Sequence, residues 1–299
     1  MSCNRLQIAS TLLGLTLSVS HAIWAEPQAD AKGYSIDVRS DLVELFLNVR
    51  DRDGSFIADL RKSDFRVYDD GNPCELAFFE SERYPVTVVM LLDTSGSMAD
   101  SMLYLQIAAS SFLANLREND KVALFSFGRT IKELAPFTKD KSLLKTQINS
   151  LYPEGGTPLW DAIAYSMKVL RGVSGRKALL VFTDGADSSS RLSYECIARH
   201  CGRSSMPVFA VGCGSAIDDC ALRRRLNRLS KNSGGQAIYV ENLQKLQQVF
   251  TQLSEVLRTT YHAGYYSKRK PDGKWHTVSV QLESDRYPVQ TRNGYYAIK

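Results

Sequence analysis

Apolar and polar residues follow three rhythms along this chain. In residues 34–84 they alternate. Val43, Leu45, Leu47 and Val49 would share one side of a strand, Phe65 and Val67 begin a second, and residues 76–79 form a third. Asp53-Gly54 and Asp70-Gly71 separate these runs, and such pairs favour the positive-φ positions of tight hairpins, so the stretch predicts β structure buried on one face. Residues 85–260 read differently. Nearly unbroken apolar runs of strand length, at 86–92 and 177–183, alternate with stripes at helical spacing such as Met102, Leu105, Ala108, Ala109, Phe112, Leu113 and Leu116. Strands apolar on both faces, interleaved with amphipathic helices, predict a doubly wound, Rossmann-like α/β sheet.

Within that region, residues 122–127 are followed after only Gly128 and Arg129 by a strand at 130–137. A crossover cannot fit, so the pair predicts one antiparallel edge strand. Helices are expected near 141–149 and 159–170, strands near Val181 and at 207–211 and 236–240, and a closing helix through Leu246, Phe250, Leu253 and Leu257. Residues 261–299 return to alternation, with Val278, Val280 and Leu282 on one side and turns at Pro271-Asp272-Gly273 and Asn293-Gly294. Neither β stretch can bury both of its faces alone. Residues 26–84 and 261–299 are therefore expected to pack as one sandwich-like β-rich unit, with 85–260 inserted between them.

Residues 1–25 carry Arg5, then an apolar run at 6–19, then small residues that suit a cut after Ala22 or Ala25. The run is short for a bilayer span, no comparable segment follows, and Cys3 precedes it, so a cleaved signal peptide is preferred to an anchor. The expected location is the periplasm, the cell surface or the medium. Composition adds little: of 299 residues, 44% are hydrophobic and 23% charged, an ordinary globular balance for about two domains. The net charge of +5 is dispersed, so no nucleic-acid partner is expected. Its densest patch, Arg223, Arg224, Arg225 and Arg228, alternates with Leu222, Leu226 and Leu229 as a solvated helix face would. Asp51-Arg52-Asp53-Gly54 lacks the spacing and final glutamate of a calcium loop and reads as a turn.

Candidate chemistry concentrates where strands end. The run at 86–92 terminates in Asp93-Thr94-Ser95-Gly96-Ser97-Met98, and in an extended chain Asp93, Ser95 and Ser97 project to one side. The carboxyl ends of parallel strands are where open α/β sheets place their sites. Two other strand-to-helix loops contribute Thr157, inside Gly155-Gly156-Thr157-Pro158-Leu159, and Asp184, inside Phe182-Thr183-Asp184-Gly185. Five oxygen-bearing side chains of this kind suit a hard divalent cation.

This pattern, D-x-S-x-S with a distant Thr and a distant Asp, resembles the von Willebrand factor A-type domain and its metal-ion-dependent adhesion site, and matches at Asp93, Ser95, Ser97, Thr157 and Asp184. The resemblance implies Ser95, Ser97 and Thr157 as inner ligands and Asp93 and Asp184 acting through bound water. It implies Mg²⁺, with Mn²⁺ or Ca²⁺ as alternatives, and a protein partner whose Asp or Glu carboxylate completes the shell beside Thr94, Gly96, Met98, Gly156 and Gly185. It also implies a six-stranded sheet with one antiparallel edge. The flanks resemble exported bacterial A-type proteins, including a group first described in acidobacteria, in D-F-x-V-x-x-D-G at 64–71 and R-x-G-Y-Y at 292–296.

After residue 25 the cysteines are Cys74, Cys196, Cys201, Cys213 and Cys220, in a compartment that permits disulfides. Cys213 and Cys220 flank a short loop and are the expected pair. Cys196 and Cys201 could bond only if their helix ends between them, exchange between the pairs is an alternative, and Cys74 is left free or for another chain. Together with His200 they lack the C-x₂-C pairs typical of structural zinc. The chain has no G-x-S-x-G elbow and no phosphate loop, and His200, His262 and His276 have no partner at recognisable spacing. His276 is expected at an exposed strand position. The expectation is a binding protein and not an enzyme, the alternatives being an envelope scaffold with a structural metal or a metal-dependent hydrolase.

Overall fold

The computed structural model describes residues 42–80, 85–284 and 286–297; the expected signal peptide lies outside them. Its first strand, β1 (Leu42–Val49), buries Val43, Leu45, Leu47 and Val49 as the alternation requires. A hairpin follows, β2 (Phe65–Asp69) and β3 (Asn72–Cys74), with Asp70 and Gly71 at φ of 46° and 76°. β4 (Phe78–Glu80) comes next and joins a different sheet. The single strand expected at 76–79 is thus replaced by two short ones. The two-residue turn returns the chain at once to pair with β2, and Leu76 dips into the core before β4 begins.

The α/β body then runs β5 (Thr87–Asp93), α1 (Met102–Asn115), β6 (Lys121–Phe127), β7 (Ile131–Thr138), α2 (Lys141–Asn149), α3 (Leu159–Arg171) and β8 (Lys177–Thr183). It continues through α4 (Tyr194–Arg203), β9 (Val208–Gly212), α5 (Ser215–Asp218), α6 (Cys220–Ser233), β10 (Ala237–Tyr239) and α7 (Leu246–Thr259). The six strands lie in the order β10-β9-β8-β5-β6-β7, all parallel except the expected antiparallel edge strand β7. Side chains of β5 alternate between two cores: Val88, Met90 and Leu92 face α1, α2 and α7, while Val89 and Leu91 face α3, α4 and α6. Each such aliphatic side chain contributes about 1.5–3 kcal/mol by leaving water. Helix starts are fixed by side-chain caps, Asp140 for α2, Ser193 for α4 and Asp219 for α6, and Gly234 at φ 89° ends α6. Among the described residues no helix is long and apolar enough to cross a membrane.

The last strands, β11 (Tyr261–Tyr266), β12 (Trp275–Leu282), β13 (Val289–Gln290) and β14 (Gly294–Tyr296), complete two four-stranded sheets, β13-β1-β11-β4 and β14-β12-β2-β3. Val43, Leu45 and Leu47 from one sheet and Phe65, Val67 and Val280 from the other enclose a third core. The α/β body is inserted between β4 and β11, which pair antiparallel with Glu80 opposite His262. Arg292 fixes the seam. Its buried guanidinium donates to the carbonyls of Gly202 (2.7 Å) and Ser204 (3.2 Å) at the end of α4 and of Gly294 (2.8 Å), which satisfies helix-terminal oxygens.

Candidate metal centre

β5 lies between β6 and β8, so Asp93 at its carboxyl end emerges beside the ends of both neighbouring strands. Main-chain hydrogen bonds tie those loops before any side chain is considered. Thr94 N–H donates to Phe127 C=O (2.7 Å), Glu154 N–H to Thr94 C=O (2.7 Å) and Gly96 N–H to Gly155 C=O (3.0 Å). On the other side Ser188 N–H donates to Thr157 C=O (3.0 Å) and Ala216 N–H to Asp184 C=O (2.9 Å). The approach is close enough to require glycine: a Cβ at Gly128 would stand 2.6 Å from Glu154 O and 2.8 Å from Thr94 O.

Four of the five expected ligands form a continuous chain of contacts. Asp93 is fully buried; its Oδ1 accepts from Ser95 N–H (2.8 Å) and its Oδ2 from the Thr183 hydroxyl (2.6 Å). Ser95 Oγ lies 3.0 Å from Ser97 Oγ, which donates to Asp184 Oδ1 (2.8 Å). Thr157, the fifth, is buried on the facing loop, where its N–H donates to Ser188 Oγ (2.9 Å). Among the described residues its hydroxyl makes no protein hydrogen bond, which leaves that oxygen available.

Burial pushes the Asp93 carboxyl up to about 6 against the opposing hydrogen bonds from Thr183 and Ser95, and burial likewise raises Asp184. Neither carboxylate is in an ion pair with a Lys, Arg or His of the described residues. Two desolvated acids without a cationic partner, beside three hydroxyls and no nitrogen or sulfur donor, fit a hard divalent cation.

Sequence reasoning missed three supports. Thr183 holds Asp93, Gly128 admits the loop crossing, and Ser188 anchors Thr157. Thr183, next to Asp184, and Gly128, in the short connection to the edge strand, stood within stretches already singled out; Ser188 did not. The expected partner-facing residues need correction. Met98 is wholly within the core, Gly185 is buried, and Thr94 is buried with its hydroxyl donating to Phe127 C=O (3.1 Å), so only Gly96 and Gly156 remain at the surface.

The expected disulfides are not formed, and all five described cysteines are free. Cys213 is buried with Sγ 3.9 Å from Ser101 Oγ, whereas Cys220 is exposed at the start of α6. Cys196 and Cys201 point apart from an unbroken α4, and Cys201 Sγ meets Met167 Sδ at 3.3 Å. The histidines also differ from expectation. His276 is half-buried, with Nδ1 2.8 Å from Asp70 Oδ2 and Nε2 3.2 Å from Asp272 Oδ1, and His262 lies between Glu44 and Glu80.

Comparison with known proteins agrees with the fold. The family model for the von Willebrand factor type A domain matches residues 87–252. Among solved structures, a von Willebrand factor type A protein from Catenulispora acidiphila is 12% identical, with 79% of this chain and 74% of that chain covered at a TM-score of 0.54. Proximal thread matrix protein 1 from the mussel byssus is 13% identical, covering 64% of this chain and 51% of that one at 0.52. The conserved hypothetical protein BatB from Bacteroides thetaiotaomicron is 20% identical, covering 58% of this chain and all of that one at 0.49. No curated protein sequence matches the chain. At these identities the structural likeness concerns the fold alone.

Proposed function

We propose that this chain, which belongs to the von Willebrand factor type A domain family, is an exported protein that binds a protein partner through a divalent cation at Asp93, Ser95, Ser97, Thr157 and Asp184. The observation that carries the reading is the pair of buried, cation-free carboxylates beside exposed Ser97 and the unbonded Thr157 hydroxyl. The hydroxyls of Ser95, Ser97 and Thr157 are neutral donors, and Asp93 and Asp184 supply charge from behind them. Mg²⁺ held by such a set keeps net positive character toward solvent, where an Asp or Glu of the partner would complete its coordination.

A purely structural role for the metal is disfavoured, because main-chain hydrogen bonds already connect the loops. Catalysis is disfavoured too. Both oxygens of Asp93 are occupied by donors, which removes it as a general base, and Asp184 accepts from Ser97. Export rests on the signal-like pattern of residues 1–25.

Calorimetric titration of Mg²⁺ into the chain and into Asp93→Ala tests the reading. One-site binding that weakens at least about 100-fold in the variant, with the fold retained, is expected. A carboxylate-bearing peptide should bind the wild type only when metal is present. Equal metal affinity in both proteins would remove the centre from the function.

A further inference from the structure

The turn between β2 and β3 carries a second group of ligating side chains, remote in sequence from the first and of different chemistry. One oxygen each from Asp69 and Asp70 and one nitrogen of His276 lie within 4.8 Å of one another. Each residue is held through one atom and presents the other. Asp69 Oδ2 accepts from the hydroxyls of Ser267 (2.8 Å) and Tyr295 (2.9 Å), while Oδ1, on a residue only 2% exposed, has no hydrogen bond. Asp70 Oδ1 accepts from the N–H (2.8 Å) and hydroxyl (2.9 Å) of Thr277, while Oδ2 faces His276 Nδ1 at 2.8 Å. His276 Nε2 is engaged by Asp272 Oδ1 at 3.2 Å.

A carboxylate on the far nitrogen of a histidine is the usual outer support of a metal-bound imidazole, fixing its tautomer and orientation. An orphaned oxygen on a buried carboxylate is costly unless something fills its vacant side. Arg269 is the charged donor facing the group: its Nε stands 3.7 Å from Asp69 Oδ1 and 3.6 Å from Asp70 Oδ2, outside hydrogen-bond range of both. Arg269 and, beside Asp272, Lys274 stand against Asp69, Asp70 and Asp272, so the carboxylates outnumber these two side-chain cations.

We propose that Asp69, Asp70 and His276 form a second divalent-metal site, selective for an ion of the zinc class, with Asp272 and Thr277 positioning two of the ligands. The imidazole separates its preference from that of the all-oxygen centre, since nitrogen donors favour Zn²⁺ and its transition-metal neighbours over Mg²⁺. Ligands on such an ion stand at most about 4 Å apart, so the group closes by less than about 1 Å around it. Arg269, about a third exposed at 32%, moves outward. The ion takes the place of the proton between His276 and Asp70, and uptake releases it to solvent.

The test titrates Co²⁺ into the full chain in excess Mg²⁺, so that the first centre is saturated, and follows the visible absorption of cobalt. One equivalent displaced by Zn²⁺ is expected, unchanged in Asp93→Ala and weakened at least about 100-fold in His276→Gln. Mg²⁺ binding by His276→Gln, measured alongside, reports that its α/β body is intact. Asp272→Asn, which removes no ligand, should weaken Co²⁺ about 10-fold or more and serves if His276→Gln does not fold. No uptake in excess Mg²⁺, equal affinity in His276→Gln, or a thiolate-to-cobalt band from the cysteines would each overturn the proposal.

Discussion

Two regions of this molecule hold their charged side chains by opposite means. Around Asp93 the frame is main chain: loops at the ends of adjacent parallel strands bond to one another, and the side chains fall into place within it. In the β unit and its seam the side chains themselves make the frame. Thr277 reaches Asp70 across 207 residues, Ser267 reaches Asp69 across 198, and Arg292 grips the end of α4. Where backbone supplies the frame, altering one side chain should change binding more than stability. Where side chains supply it, the fold should suffer first.

The largest effect is expected at the seam. Arg292→Met leaves the carbonyls of Gly202, Ser204 and Gly294 without this donor and should lower unfolding free energy by about 3 kcal/mol or more. Urea denaturation measures the loss, and Mg²⁺ affinity of the folded fraction should stay within twofold. A loss below about 1 kcal/mol would erase the contrast. Gly128→Ala probes the frame of the other region, because its Cβ would collide with Glu154 O and Thr94 O. A stability loss of about 2 kcal/mol with Mg²⁺ binding about 10-fold weaker is expected.

Thr183→Val keeps the shape but removes the donor to Asp93 Oδ2. It should cost about 1–2 kcal/mol, and calorimetry should find weaker Mg²⁺ binding. If stability falls while affinity does not, Thr183 belongs to the core alone.

The smallest effect is acid-dependent. Burial raises the Glu44 carboxyl, but the hydrogen bond and charge of His262, with the charges of Lys177 and Arg292, together outweigh it and leave it below the usual glutamate value. A carboxyl depressed in the folded state stabilises above its unfolded value near 4.5 and loses that contribution as pH falls through its folded value. Wild type should therefore exceed Glu44→Gln in stability by less than about 1 kcal/mol at pH 7, and the gap should narrow progressively as pH falls below the usual glutamate value. A gap that persists at low pH would assign it to packing.

The same division decided what the sequence made legible. Asp93, Ser95 and Ser97 lie within one short stretch, Asp184 directly follows an apolar run, and Thr157 stands in a glycine-hinged loop that opens a helix, a loop that joins α2 to α3 and does not follow a strand as expected, so local pattern marked all five as candidates. The antiparallel pairing of β6 and β7 followed from a connection too short for a crossover. Thr183 was hidden because it reads as the last residue of a strand, and its importance depends on the adjacent strand that bears Asp93. His276 was misjudged for a related reason. Alternation along β12 puts it in register with Val278, Val280 and Leu282, on the inner side, and Asp70 and Asp272 come from elsewhere to enclose it there. Pairings such as Val67 with Val280 have no local signature at all.

The insertion point also determines how the molecule would bear tension. The α/β body leaves the chain after β4 and rejoins it at β11, and β11 is bonded to β4 on one side and to β1 on the other. A pull between β1 and β14 passes through the ladder that joins Leu42–Leu47 to Tyr261–Tyr266. Together with the β2–β12 and β4–β11 ladders it would form a mechanical shunt, so that the body would be loaded only after all three had parted.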